Sequence, residues 1–522
     1  MKRTAARMAL SVHRPGGGQA WLLPVVLACL CLPLLAAADS VSESVLHAFS
    51  GSDGSGVNST LVQAADGDFY GTTPAGGASG AGTVFKLTAQ GSLSLLHSFN
   101  GQSDGNMPQG GLAIGIDGNL YGTTLSGGAN GFGSVFRIST NGVFKTIASF
   151  ASGQGNFPYA ALVRDAEGNF YGTTYQGGSH GLGTVFRITP AGVITTLHSF
   201  SGVPDGANPM AALVFGADGM LYGSAMNQGA DSEAFGTIFS ISTSGTFSLL
   251  HAFVDNPQTG NDGGAPRASL LPGVNGNFYG TTSALGGADY AGTVFSMTSA
   301  GVLTALHDFD GAAEGGVPYG GLIQAKDGSL LGTTSSGGGM PEGLGTVFRL
   351  TTQGTLYTLH VFRGAPDGTM PAAGLLQGSD GALYGTTALG GGGSGTVFRI
   401  VDSTPSVSFT VAAEQTPKGN GSLPSVQLTV QLSATSIQPV TIPFSLGGTE
   451  SASRYAVTPS GQLVIPAGAT SATITVNIEF PPYLQCDKTV VLSLGTPDFA
   501  TLGTISANTL TVHNYLGLFC PK

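Results

Sequence analysis

The sequence predicts an all-β protein: a seven-bladed β-propeller closed by an N-terminal strand, followed by an immunoglobulin-like β-sandwich. Three observations predict it. A Tyr-Gly-Thr-Thr block recurs seven times, at Tyr70, Tyr121, Tyr171, Tyr222 (as Tyr-Gly-Ser-Ala), Tyr279, Leu331 (as Leu-Gly-Thr-Thr) and Tyr384, spaced by 51, 50, 51, 57, 52 and 53 residues. Each period holds four short β-rich runs, which is the content of a propeller blade; a β-solenoid, the competing array, uses a shorter repeat. Past residue 405 the repeat stops and seven runs of alternating apolar residues follow.

The third period shows the blade. Ala161 to Val163 is a short apolar run, Phe170 to Thr174 is β-favouring, Thr184 to Ile188 is a clear strand and Ile194 to Phe200 a fourth. Glu167-Gly168 and Ala191-Gly192 mark tight turns, and Gly177-Gly178 with Gly181 to Gly183 a glycine loop. Asp-Gly or Asn-Gly at the first turn of the other periods is a strong hairpin signal. Strands such as Thr-Val-Phe-Arg-Ile are apolar on both faces, as a blade between two neighbours requires. No stretch of the repeats has sustained helical periodicity with caps.

The last strand of a period ends in Leu-His-x-Phe, at His97, His198, His251, His307 and His360, and as Ile147-Ala148-Ser149-Phe150 in the second. The seventh period lacks this strand, and an orphan copy, Leu46-His47-Ala48-Phe49, precedes the first. The orphan is expected to complete the seventh blade, pairing with Thr396 to Ile400 and leaving no inter-blade face open.

The Tyr-Gly-Thr-Thr, Gly-Gly and Gly-Thr-Val-Phe-[Arg/Lys] pattern resembles the GloVer tandem repeat of bacterial secreted proteins. The resemblance covers about 350 residues and implies an extracellular or surface-associated protein with no general activity, so it brings no catalytic residues.

Composition agrees with export. Residues 1–38 read as a secretory signal: Lys2, Arg3, Arg7 and Arg14 form a basic start, Trp21 to Leu35 is apolar, and Ala36-Ala37-Ala38 is a small-residue cleavage site. The apolar run of 15 residues is short of the ~20 a spanning helix needs, which argues against a membrane anchor. Lipidation at Cys29 is the other competing reading. Cleavage near Ala38 places the protein outside the cell, in the periplasm or on the surface, with no transmembrane segment. It also leaves 14 basic against 29 acidic residues, net −15. An acidic chain without a basic stripe argues against nucleic acid and anionic membranes as partners.

The region from 407 to 522 follows a linker at 402–406. Its runs at Val407–Val411, Val426–Leu432, Val440–Leu446, Gln462–Ile465, Thr473–Ile478, Thr489–Leu494 and Thr509–Asn514 suggest the sandwich. Cys486 and Cys520 flank the last two of these strands. They meet in a disulfide if the strands are antiparallel neighbours, and otherwise remain two free thiols. Gly448-Thr449 through Tyr455, Leu463 to Gly468 and Thr473 to Val476 resemble a Calx-β domain, a family that often binds calcium through clustered carboxylates. Here Arg454 stands where an acid is usual, and the loop Phe480 to Asp487 is poor in carboxylates. Calcium wants 6–8 oxygen ligands, so no Calx-type site and no cofactor is expected.

Two recurring series are candidates for function. His47, His97, His198, His251, His307 and His360 fall once per blade, too dispersed to converge on one metal ion, and read as structural histidines. Asp53, Asp104, Asp205, Asp262, Glu314 and Asp367, with Gln154 in the second period, stand in the inter-blade loops. They are either Asx-type turns or a calcium-studded or ligand-binding rim, for which one carboxylate per loop is thin unless backbone carbonyls help, and are the candidate binding residues. The repeated tyrosines favour blade packing over sugar stacking, and no tryptophan follows Trp21. No catalytic motif is present: neither His-Glu-x-x-His, nor Gly-x-Ser-x-Gly, nor a phosphate-cradling loop before a helix. The repeat is least regular at Asn227–Phe235 and Val254–Arg267, which points there for specialised function. Two functions remain in view. One is an exported binding or scaffold protein presenting propeller loops to a protein or glycan. The other is a glycan hydrolase or lyase with its site at the channel mouth, for which carboxylates clustered in the mouth would argue.

Overall fold

The computed structural model describes residues 41–513 except 230–234, 257–259, 288, 326, 340–342, 403–404, 417–423, 435, 437–438, 467–468 and 480–486. The expected signal at residues 1–38, with Cys29 and Ala38, and the two residues Cys486 and Cys520 therefore lie outside the described residues. No helix among those described is long and apolar enough to cross a membrane.

Seven four-stranded antiparallel sheets follow one another along the chain. In the third, Val163–Arg164, Phe170–Thr174, Thr184–Ile188 and Ile194–Ser199 pair in sequence order. The two middle strands are buried almost throughout, because each face packs on a neighbouring blade. Phe170 and Phe186 join Tyr121, Val135 and Phe150 of the blade before, while Tyr171 and Val185 join Leu213, Leu221 and Phe239 of the blade after. Seven such clusters link consecutive blades. The last joins Tyr384 and Val397 of the seventh to Phe69 and Phe85 of the first, so the ring is closed.

Closure runs through the N-terminal strand, as the sequence predicts. Val41–Ala48 pairs antiparallel with Thr396–Asp402, His47 opposite Val397 and Ala48 opposite Thr396. A register shift between Val45 and His47 repeats the β-bulge found at Val84/Phe85, Val185/Phe186 and Val347/Phe348 between the third and fourth strands of other blades. The N-terminal strand thus occupies the outermost position of blade seven in the same register as its counterparts elsewhere.

Each residue of the Tyr-Gly-Thr-Thr block has one structural task. The tyrosine hydroxyl donates to the turn acid: Tyr70 to Asp66 (2.6 Å), Tyr171 to Asp165 (2.9 Å), Tyr222 to Asp218 (2.8 Å) and Tyr384 to Asp380 (2.9 Å). Blade six has Leu331 instead, and Arg349 takes Asp327 at 2.6 Å. The glycine lies against the phenylalanine of the next strand; a Cβ on Gly172 would stand 2.8 Å from Phe186 Cζ. The first threonine reaches the segment just ahead of the innermost strand of the next blade, as Thr72 to the Gly110 carbonyl (3.0 Å), Thr173 to Ala211 (3.0 Å) and, across the closure, Thr386 to Ser59 (3.3 Å). The second binds its own blade, as Thr174 with Thr184 at 2.8 Å.

The region from Ser406 onward forms two five-stranded sheets around one core that includes Phe409, Leu428, Ile442, Ile474, Leu492 and Leu510. Seven strands were expected and ten are found among the described residues. The additional ones, Ala413–Gln415, Tyr455–Thr458 and Thr501–Leu502, are two to four residues long and stand at sheet edges. Ala413–Gln415 and Thr501–Leu502 expose most of their side chains and so carry little of the apolar alternation by which strands are read, whereas Tyr455–Thr458 buries Tyr455 in the core. Lys488–Leu494 and Ala507–Val512 are antiparallel neighbours with Lys488 opposite Val512, the arrangement the expected disulfide requires.

Candidate functional site

The two recurring polar series are partners. Nε2 of His47 meets Asp53 at 2.8 Å, His97 meets Asp104 at 3.0 Å, His198 meets Asp205 at 2.7 Å, His251 meets Asp262 at 2.7 Å, His307 meets Glu314 at 2.9 Å and His360 meets Asp367 at 3.2 Å. The acids also accept backbone N–H groups of their own loops, as Asp53 from Ser50 (2.8 Å) and Asp205 from Ser201 (3.1 Å). Each pair therefore clips the inter-blade loop to the outermost strand it leaves. Burial raises the Asp53 carboxyl, but hydrogen bonds from Ser50 and His47 outweigh it and hold the group below its ordinary value. Burial holds the His360 imidazole below its ordinary value despite Asp367. The structure sets the six acids one per blade, each against its own histidine. Among the described residues no three His, Cys, Asp or Glu side chains are grouped to hold a metal.

The irregular stretch Val254–Arg267 contains an added two-stranded hairpin, Asp255–Asn256 with Gly260–Asn261, before chain and repeat rejoin at Pro266. Asn227–Phe235 lies largely outside the described residues.

The third feature is the central channel, a cavity of about 340 Å³ to which all seven blades contribute. After each inter-blade loop one residue adopts a left-handed conformation: Gly56, Met107, Phe157, Asn208, Ala265, Val317 and Met370, the last six with φ between 50° and 58°. That bend turns the chain towards the axis. In six blades proline follows, and the residue after it lies on the channel wall: Gln109, Tyr159, Met210, Arg267, Tyr319 and Ala372, with Asn58 after Val57 in the first. All seven are half-buried. They differ from blade to blade, whereas the next two wall positions are small (Ser, Thr, Gly or Ala) in every blade.

Among the described residues the wall contains no Asp, Glu, His or Cys, and Arg267 is the one charged side chain on it. The Arg267 guanidinium lies 4.9 Å over the Tyr319 ring. Its Nε is buried without a partner, as is Asn58 Oδ1. Asn58 Nδ2 donates to Gln109 Oε1 at 2.9 Å, and Tyr159 stands edge-on to Tyr175 at 5.5 Å. Sequence reasoning reached Arg267 only as the end of an irregular stretch. The other six had no motif; their signal is the single variable position after each proline.

The model of the Gloeobacter/Verrucomicrobia repeat matches residues 36–234, 203–344 and 286–434. These matches span more than half of the 522 residues, and the chain belongs to that family. No curated protein matches it. Among solved structures it is similar to a candidate 6-phosphogluconolactonase from Bacteroides uniformis (17% identity, 61% of this chain and 89% of that one, TM-score 0.42). A second, from Bacteroides fragilis, aligns at 19% identity over 61% and 88%, TM-score 0.41. The C-terminal region aligns with the apo-form Calx CBD1 domain at 13% identity over 21% and 96%, TM-score 0.19. At these TM-scores the likenesses carry no argument about activity.

Proposed function

We propose that this member of the Gloeobacter/Verrucomicrobia repeat family is an exported, non-catalytic binding protein that takes a protein or glycan ligand at the mouth of its channel. The observation that carries the reading is the contrast along the wall: seven half-buried residues that differ from blade to blade, set above wall positions that stay small. A repeat under packing constraint alone has no reason to vary at one position around a shared cavity. Glycoside hydrolysis needs two carboxyl groups across the scissile bond, and the wall contains none. The recurring loop acids serve as clips rather than as the ligand rim, because each is already engaged by its histidine. The C-terminal sandwich, which we read as Calx-β-like, acts as a spacing or adhesion module, held by a Cys486–Cys520 disulfide. Export follows cleavage near Ala38.

The test is a glycan array and a parallel hydrolysis screen with the chain from residue 39 onward. The expected result is retention of a ligand without turnover, abolished in the double variant Tyr159→Ala/Tyr319→Ala. Turnover of any bound glycan overturns the non-catalytic reading. Binding untouched by the double variant overturns the site.

A further inference from the structure

Resting on the channel mouth as the binding site, we infer that its ligand is a carboxylate-bearing sugar, a uronic acid unit, with its carboxylate on Arg267 and its ring against Tyr319 and Tyr159. The argument begins with charge. The chain carries 29 acidic against 18 basic residues, and three of its cations near the blade turns are taken up by acids. Lys86 pairs with Asp66 and Asp68, Arg349 with Asp327, and Arg399 with Asp380. Arg267 makes no ion pair among the described residues, and its half-buried guanidinium has an Nε with no acceptor. In an acid-free wall its counter-charge has to come from a ligand.

The chemistry of the neighbours narrows that ligand. A guanidinium presents a planar fork of donors that matches a carboxylate in two parallel hydrogen bonds. Stacking on Tyr319 holds that fork in one plane and limits the freedom it loses on binding. Phosphate esters carry close to two charges at neutral pH, and a single arginine in a strongly acidic protein answers one. Tyrosine rings offer rigid faces with polar tips, suited to the C–H face and hydroxyls of a sugar. Asn58 donates to the Gln109 side-chain oxygen, which leaves the Gln109 amide N–H groups for sugar hydroxyls. The cavity of about 340 Å³ is near the small end of ligand pockets, which fits a single unit or a chain end.

Titration calorimetry with the chain from residue 39 onward tests this, using D-glucuronate, D-galacturonate, D-glucose and D-glucose 6-phosphate as probes. At least one uronate is expected to bind, with D-glucose and the phosphate ester each about tenfold weaker or worse, and Arg267→Gln lowering uronate affinity at least about tenfold. Arg267→Lys should recover only part of the loss, because the ammonium has no planar fork. Thermal unfolding of both variants at the wild-type temperature shows that loss of binding is not loss of fold. The inference is overturned if neither uronate binds, if glucose or its phosphate binds as tightly, or if Arg267→Gln leaves uronate affinity unchanged. If an array-derived neutral glycan is lost in Tyr159→Ala/Tyr319→Ala but kept in Arg267→Gln, the carboxylate inference fails while the channel site stands. If uronate binding survives every mouth variant, the channel site itself fails.

Discussion

The loop clips and the channel mouth are built from the same blades, a few residues apart in each, and they obey opposite rules. At the clips polar residues recur and are satisfied: six imidazoles meet six carboxylates at 2.7–3.2 Å. At the mouth only tyrosine occurs twice among the seven residues, and two buried polar atoms, Arg267 Nε and Asn58 Oδ1, are unsatisfied. Recurrence in a closed ring marks what every blade needs in order to fold. The wall position two residues after the left-handed bend instead holds six residue types in seven blades.

That contrast gives a ladder of expected effects. The largest is in the inter-blade core: Phe186→Ala removes a ring with no exposed surface and should cost about 3–5 kcal/mol in denaturant unfolding. A clip is next. His198→Ala leaves Asp205, which is mostly buried, without its imidazole, and should cost about 1–3 kcal/mol while leaving ligand binding intact. Equal loss of binding and stability on that change would break the division of labour. Arg267→Gln should do the reverse, losing binding while shifting stability by no more than about 1 kcal/mol, the worth of its stack on Tyr319.

A pH effect separates the closing strand from the loop it packs near. Burial, followed by the charge of Asp367, pushes the Glu43 carboxyl up to about 7, and its Oε1 is buried without a partner. Its folded value is raised, so the proton is held more tightly in the native ring than in the unfolded chain. Stability from this group therefore falls as pH rises from about 4.5 to about 7. Glu43→Gln should gain melting temperature relative to wild type across that window and hold the gain above it; an unchanged difference from pH 4 to 8 contradicts it. Asp53 has the opposite sign. Its folded value is depressed, so its contribution is present above its ordinary pKa and is lost as pH falls below it. The smallest expected effect is chemical: intact chain should gain alkyl mass at Cys486 and Cys520 only after reduction, and labelling without reductant contradicts the proposed disulfide.

Much of this was legible. The period, the Asp-Gly turns and the displaced Leu-His-x-Phe strand specified blades and closure, because a buried two-faced strand and a tight turn leave local signatures. The partnership of the two polar series was also written in the chain, since the second period loses both at once, with Ala148 for the histidine and Gln154 for the acid. Treating them as separate series hid it. The edge strands at Ala413–Gln415 and Thr501–Leu502 were not legible, because pairing there is decided by backbone hydrogen bonds and not by side-chain burial.

By itself the sequence determined what repeats: four strands per blade, the turns between them, and an N-terminal strand owed to the last blade. These are local matters of period, β-branching and glycine. Only the tertiary structure decided that Asn58, Gln109, Tyr159, Met210, Arg267, Tyr319 and Ala372, spread over more than three hundred residues, surround one cavity. Closing a ring converts positions that are equivalent in the repeat into neighbours in space, and no local pattern encodes that proximity.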